Sequence, residues 1–221
     1  MPWTKTLQMT DSYIFKGLRK RLVEILKSKG ISDEKVLNAI LKIPRHIFMG
    51  KGFEKHAYKD SAFPIASNQT ISQPYTVAFQ TSLLDLKKTD KVLEVGTGSG
   101  YQAAVLSEIG VKLFTIERQR ELYLSSKIIL KNLGYSPYSY YGDGYKGLPT
   151  YAPFDKILIT AGAEKIPEKL LEQLKIGGVM VAPIGERSSQ DMLRITKIDD
   201  LKFKKENFGK FVFVPMLKGK N

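Results

Sequence analysis

Residues Val92 to Gly100 read VLEVGTGSG: an apolar run, a carboxylate, then three glycines at alternate positions. An apolar strand that ends in a glycine-rich turn and continues as a helix brings backbone N–H groups up to a nucleotide-like ligand. The spacing is G-x-G-x-G at Gly96, Gly98 and Gly100, with Thr97 and Ser99 between them, whereas a dinucleotide fingerprint is G-x-G-x-x-G. A loop of this form has no pyrophosphate to cradle, and Glu94 suits a ligand that carries positive charge. Two further carboxylates follow. Glu117, next to Arg118, stands about twenty residues beyond the loop, where this architecture places an acceptor for ribose hydroxyls. Asp143, between Gly142 and Gly144, closes the next strand and is expected near a base edge. Each feature has a plainer reading: a structural glycine turn, a solvated glutamate, an aspartate that caps a turn. Their order at successive strand ends favours a nucleoside-bearing ligand.

The elements that must position these residues can be read from periodicity. Asp11 to Lys29 fits a helix with Leu18, Leu22, Ile25 and Leu26 inward and Gly30 at its end. Ser32 is the expected N-cap of a second helix, which has Asp33 and Glu34 in its first turn and buries Val36, Leu37, Ile40 and Leu41. Pro44 to Pro74 is long and aperiodic, as functional loops in compact domains are. A helix should run from Pro74 to about Leu86. Strands are expected at Lys91–Val95, Lys112–Ile116, Tyr138–Tyr141, Lys156–Thr160 and Val179–Pro183. Helices at Tyr101–Ile109, Glu121–Leu133 and Pro167–Leu174 alternate with them, which implies βαβ units and a parallel sheet. Met192–Ile198, Lys202–Lys205 and Lys210–Val214 read as strands joined by short turns. The expected fold is therefore α/β, a doubly wound, mostly parallel sheet with N-terminal helices and an antiparallel C-terminal edge. Residues 1–221 are expected to form a single domain, with helices and the loop in 1–75 and the sheet core in 76–221.

Composition narrows the class. The chain of 221 residues has no cysteine, so a disulfide-stapled fold is excluded. No apolar run approaches the ~18 residues of a membrane span, and the first residues lack a signal peptide's apolar core, so a soluble cytoplasmic protein is expected. The net charge of +13 invites a nucleic-acid partner, but the lysines are scattered and no paired-aromatic RNA signature accompanies them. A monomer without a metal is the default.

The loop's spacing is similar to the S-adenosylmethionine loop of class I methyltransferases, and a nicotinamide cofactor is the competing ligand. Residues before the loop add to this. Asn68 to Val77 read NQTISQPYTV, and with EVGTGSGYQAA they resemble the protein-L-isoaspartate O-methyltransferase family. IPRHIF at Ile43–Phe48, YKDSAFPI at Tyr58–Ile65, GDGY at Gly142–Tyr145, FDKILITAGA at Phe154–Ala163 and FVPML at Phe213–Leu217 match in order. The resemblance covers about Ile31 to Leu217 and implies a Rossmann-like methyltransferase fold. It also implies S-adenosyl-L-methionine as donor, with S-adenosyl-L-homocysteine as product, and isoaspartyl proteins and peptides as acceptors. The product ester would close to a succinimide and so begin repair. Thr70, Ile71 and Ser72 match the family's active-site segment and Ser72 its active serine; Gln69, Val77 and Gln102 match positions near the cofactor. Without the resemblance, Ser72 reads as a turn serine capping the helix after Pro74. Asp60 matches a family acid and reads equally as a loop brace, while Arg45 and His46 read as structural. Where many relatives carry glycines, this chain has Ala66-Ser67-Asn68; Asn68 can take left-handed backbone and Ala66 cannot do so cheaply.

The chemistry suits the inventory. A carboxylate is already ionised at neutral pH and needs no general base. Having no Cys and only His46 and His56 is therefore no obstacle. A nucleic-acid methyltransferase would show a polar-aromatic tetrapeptide after the strand at Lys156–Thr160, where Ala161-Gly162-Ala163 stands instead. A non-catalytic binder of altered proteins would not need the intact glycines, Glu117 and TISQP.

Overall fold

The computed structural model describes residues 11–50 and 52–221. Two helices open it, α1 (Tyr13–Ser28) and α2 (Glu34–Lys42). The N-cap of α2 is Asp33 rather than Ser32: its Oδ1 accepts from the N–H groups of Lys35 and Val36. A carboxylate at this position also complements the helix dipole, which the exposed Ser32 hydroxyl does not. Leu22 and Leu26 of α1 are buried as expected, while Leu18 is exposed.

The aperiodic stretch folds around two 3₁₀ turns, Arg45–Phe48 and Glu54–His56, and a small antiparallel pair, β1 (Phe63–Pro64) and β2 (Thr70–Ile71). Helix α3 (Pro74–Leu83) follows, with Pro at its first position. Then come β3 (Lys91–Val95), α4 (Tyr101–Ile109), β4 (Lys112–Glu117), α5 (Arg120–Asn132) and β5 (Tyr138–Tyr141). After them come β6 (Phe154–Ile159), α6 (Glu168–Glu172), β7 (Leu174–Glu186), β8 (Ser189–Lys197) and β9 (Phe203–Phe211).

Seven strands form one sheet in the order β5-β4-β3-β6-β7-β8-β9. The first five are parallel, and β8 and β9 add an antiparallel edge. From β3 the chain builds outward through β4 and β5, then returns to place β6 on the other side. This reversal makes the carboxyl ends of β3 and β6 the topological switch point, the place where open α/β sheets bind ligands.

Several boundaries differ from expectation: α3 ends at Leu83 rather than about Leu86, and β7 runs Leu174–Glu186 rather than Val179–Pro183. Helix α6 ends at Glu172, because Leu174 already belongs to β7, where it pairs with Phe154. Lys202–Lys205 and Lys210–Val214 are not two strands. They merge into β9, with Gly209 (φ +94°) falling where the β8–β9 register shifts, so that it forms a bulge within one strand. Val214 leaves the sheet.

Strand alternation feeds two apolar layers. Val92 and Leu158 face a layer shared with Leu26, Ile40, Ala78 and Leu106 from the helices α1 to α4. Leu93, Val95, Ile157 and Ile159 face the other side, in a layer shared with Phe154 and Met180 of the sheet and Leu170 of α6. Helix α4 is buried almost all round, as its apolar sequence requires between the sheet and α2. Among the described residues no helix is long and apolar enough to cross a membrane.

Candidate functional site

The glycine loop leaves β3 at the switch point. Gly96 has φ +100°, and a Cβ there would lie 2.5 Å from Thr160 Oγ1, so neither backbone nor space admits a side chain. Gly98, at φ +54°, would point a Cβ into open space with no protein atom within 4 Å. Its N–H donates to Glu117 Oε2 at 2.8 Å, and the Gln119 N–H donates to Oε1 at 2.8 Å. The carboxylate is thus aimed by two backbone groups while each oxygen keeps a lone pair to offer.

These residues line a cleft with about 770 Å³ of space free of protein atoms, its open mouth included. One wall is Gln69, Thr70, Ile71 and Ser72, with Val77 behind them; the floor is Gly96, Thr97, Gly98 and Ser99; Gln102, Glu117, Arg118 and Gly144 complete the part anticipated from sequence. An open glycine cradle, a pre-aimed diol acceptor and apolar walls fit a nucleoside bearing a small aliphatic arm. Among the described residues there is no cluster of three His, Cys, Asp or Glu that could hold a metal.

Four anticipated contacts are not brought to the cleft. Glu94 pairs in register with Thr115, so it points from the sheet face into the helical layer rather than off the strand end. It is completely buried and accepts from Thr115 Oγ1 at 2.5 Å; that oxygen lies 2.6 Å from Thr97 Oγ1. Burial pushes the Glu94 carboxyl up to about 8, against the opposing Thr115 hydrogen bond. It therefore anchors the loop from beneath. Gly100 is the left-handed N-cap of α4 and packs on Ser126, where a Cβ would come within 3.1 Å. Gly142 continues the sheet by donating to Glu117 O, and Asp143 accepts from the Tyr145 N–H at 2.9 Å as a turn cap. Of the Gly142–Gly144 triplet, Gly144 alone lines the cleft.

The Thr70–Ser72 wall is held by Asp60. Its Oδ1 accepts from the Tyr75 N–H at 2.8 Å in the first turn of α3, and its Oδ2 takes Gln73 Nε2 and Lys29 Nζ. Asp60 is thus the brace. Ser72 does not cap α3, whose N-cap Gln73 receives no side-chain bond, and the serine remains on the cleft wall. The turn above it carries Ser67 and Asn68 at φ +57° and +54°, so Asn68 does take the left-handed backbone. Ser67 Oγ donates to Glu121 on α5 at 2.8 Å.

Arg45 and His46 are structural, as read from sequence. His46 stacks on Phe15 and its Nδ1 lies 2.7 Å from Tyr58 OH. The Arg45 Nε donates to Ala57 O, and its guanidinium lies 4.9 Å from the centre of the Tyr101 ring. Burial lowers it to about 10.

The far wall, Thr160, Ala161 and Val214 to Leu217, adds residues outside the expected site set, although the C-terminal strands were candidate walls for the peptide. Met216 N donates to Gly162 O at 2.7 Å, and Gly162 N to Val214 O at 2.8 Å, which draws the segment across the strand ends. No local pattern announces it; the hint was that FVPML follows the last strand without periodicity.

Residues 17–221 match the model of the protein-L-isoaspartate(D-aspartate) O-methyltransferase family. A protein-L-isoaspartate O-methyltransferase of Christiangramia forsetii is 58% identical over 214 residues, covering 96% of this chain and all of that one. One from Dictyoglomus thermophilum is 50% identical over 93% of this chain and 94% of its own. A solved protein-L-isoaspartate O-methyltransferase superposes with a TM-score of 0.81 at 31% identity, over 89% of this chain and 65% of that longer one. A Plasmodium falciparum structure in complex with S-adenosyl-L-homocysteine gives 0.80 at 26% identity, over 91% of this chain and 99% of its own.

Proposed function

The chain belongs to the protein-L-isoaspartate(D-aspartate) O-methyltransferase family, and on that premise we propose how its cleft carries out the reaction. The enzyme transfers the methyl group of S-adenosyl-L-methionine to the α-carboxylate of L-isoaspartyl residues in damaged proteins and peptides, and the ester then closes to a succinimide. When bound, the donor supplies an electrophilic sulfonium methyl. The observation that carries the reading is that the Thr70–Ser72 edge and the Gly96–Ser99 loop line one cavity.

Glu117 accepts the ribose hydroxyls, since both of its oxygens are already aimed by backbone N–H groups. Gly98 leaves the space in which the aliphatic arm lies against the loop. Val77, Ile71 and Gln102 exclude water from the space between loop and wall. The Ser72 hydroxyl orients the substrate carboxylate. It is no nucleophile, because no acyl or phosphoryl group is transferred, and the ionised carboxylate requires no base. Near-attack positioning of this kind contributes about 7–11 kcal/mol.

The chain is proposed to act as a monomer and as one domain over residues 1–221. The setting proposed for it is the cytoplasm. Isoaspartyl proteins, and not nucleic acids, are the partners.

The test is a paired assay with labelled S-adenosyl-L-methionine, an isoaspartyl peptide and its aspartyl twin. Base-labile methyl ester is expected on the isoaspartyl peptide alone. Equal labelling of both peptides, or labelling of RNA instead, refutes the assignment.

A further inference from the structure

Glu117 is only as well aimed as the turn that aims it. The peptide unit joining Arg118 and Gln119 supplies the N–H that holds Glu117 Oε1. A peptide unit is planar, so whatever holds its carbonyl also sets the direction of its N–H. The Arg118 carbonyl accepts from the Asn221 N–H at 2.8 Å. On the other side of Gln119, the Arg120 N–H donates to Asn221 O at 2.8 Å. The Asn221 side chain closes the grip: its Nδ2 donates to Gln119 Oε1 at 2.7 Å. Tyr141 OH donates to the same Asn221 main-chain oxygen at 3.2 Å, and Arg118 Nε donates to Gly219 O at 3.2 Å. Gln119, the N-cap of α5, makes no side-chain cap of its own, so the turn relies on this outside partner. The segment that delivers Asn221 is the one whose Val214 to Leu217 form the far wall of the cleft.

We propose that Asn221 is a positioning residue for the methyl donor. It clamps the Arg118–Gln119 peptide, and through that peptide it holds Glu117 in the orientation that receives the ribose. This rests on the donor assignment above. The segment 214–221 then serves twice, as a wall beside the donor and as the latch of the turn that grips it. Acceptor recognition, on the Thr70–Ser72 side, does not pass through this latch.

The experiment measures S-adenosyl-L-homocysteine affinity by calorimetry for the full-length protein, Asn221→Ala and Asn221→Pro. Asn221→Ala removes the side-chain bond and should weaken binding by about three- to tenfold, the range for one lost hydrogen bond. Asn221→Pro also removes the N–H to Arg118 and should lose more. Donor KM should rise with peptide KM unchanged, and the melting temperature without ligand should stay at the wild-type value. In a Glu117→Gln background, Asn221→Ala should add little, since the two act through one group. Unchanged affinity in both variants overturns the proposal. So does a loss that tracks a fall in the unliganded melting temperature, or one that persists at full size in the Glu117→Gln background. Wild-type affinity and peptide methylation test the functional assignment itself; only the ratio of variant to wild type tests the latch.

Discussion

The two sides of the cleft are built on different principles. The donor side is local: β3, the glycine turn and α4 are consecutive, and Glu117 ends the neighbouring strand. Its geometry follows from backbone that only glycine adopts, from sheet register and, at the turn after Glu117, from the grip of Asn221. The walls around it are assembled from distance. The Thr70–Ser72 wall depends on Asp60 and Lys29, and the far wall depends on Gly162 holding Val214 and Met216.

The contrast can be broken most sharply at Gly96. Gly96→Ala forces a strained φ and a clash with Thr160, at a cost of about 1–3 kcal/mol for the backbone alone. Homocysteine-product binding should collapse, and a variant that binds normally would show that the loop is not rigid. Glu117→Ala removes hydrogen bonds to a charged acceptor, each worth about 1.5–3 kcal/mol. It should weaken S-adenosyl-L-homocysteine by roughly a hundredfold. Ser72→Ala should leave that affinity intact and lower kcat by roughly tenfold, as expected for a positioning contact of about 1.4 kcal/mol. Undiminished turnover would remove Ser72 from the acceptor side.

Glu94 sharpens the donor side through pH. Its carboxyl, raised to about 8 by burial and by the Glu117 charge, keeps a proton that the unfolded chain releases near its ordinary value of 4.5. The folded state therefore binds more protons through that window, and stability falls as pH rises from 4.5 towards 8. Glu94→Gln should flatten this part of the curve in denaturant titrations at pH 6 and pH 9. An unchanged slope would mean Glu94 is ionised when folded. The smallest effect is expected at Asn68, where φ is +54°. Asn68→Gly should shift stability by less than about 1 kcal/mol in either direction and leave donor affinity alone; a loss of donor affinity would tie the two sides together.

Much of the donor side was legible in the residues themselves. The strand, turn and helix from Lys91 to Ile109, and the carboxylate of Glu117 on the cleft, are short-range patterns and stand where their spacing put them. Glu94 was misread because its type suggested a ligand while its register partner Thr115 turned it inward. Asp143 takes the plainer of its two readings, a turn cap through Oδ1, which the spacing marked equally well. Ser72 could be singled out by family likeness alone; by itself it read as a helix cap, a role Asp60 takes from another loop.

By itself, then, the order of residues determined the sheet, the glycine cradle and the carboxylate at the end of the second strand. These depend on periodicity and on the few residues that tolerate left-handed backbone. The tertiary structure alone decided that Glu94 lies beneath the loop and that Val214 to Leu217 close the cleft. It alone decided that Asn221 grips the turn holding Glu117. Such contacts join residues far apart in the chain, such as Gln119 and Asn221, and a hydrogen bond across that interval leaves no periodic trace in either segment.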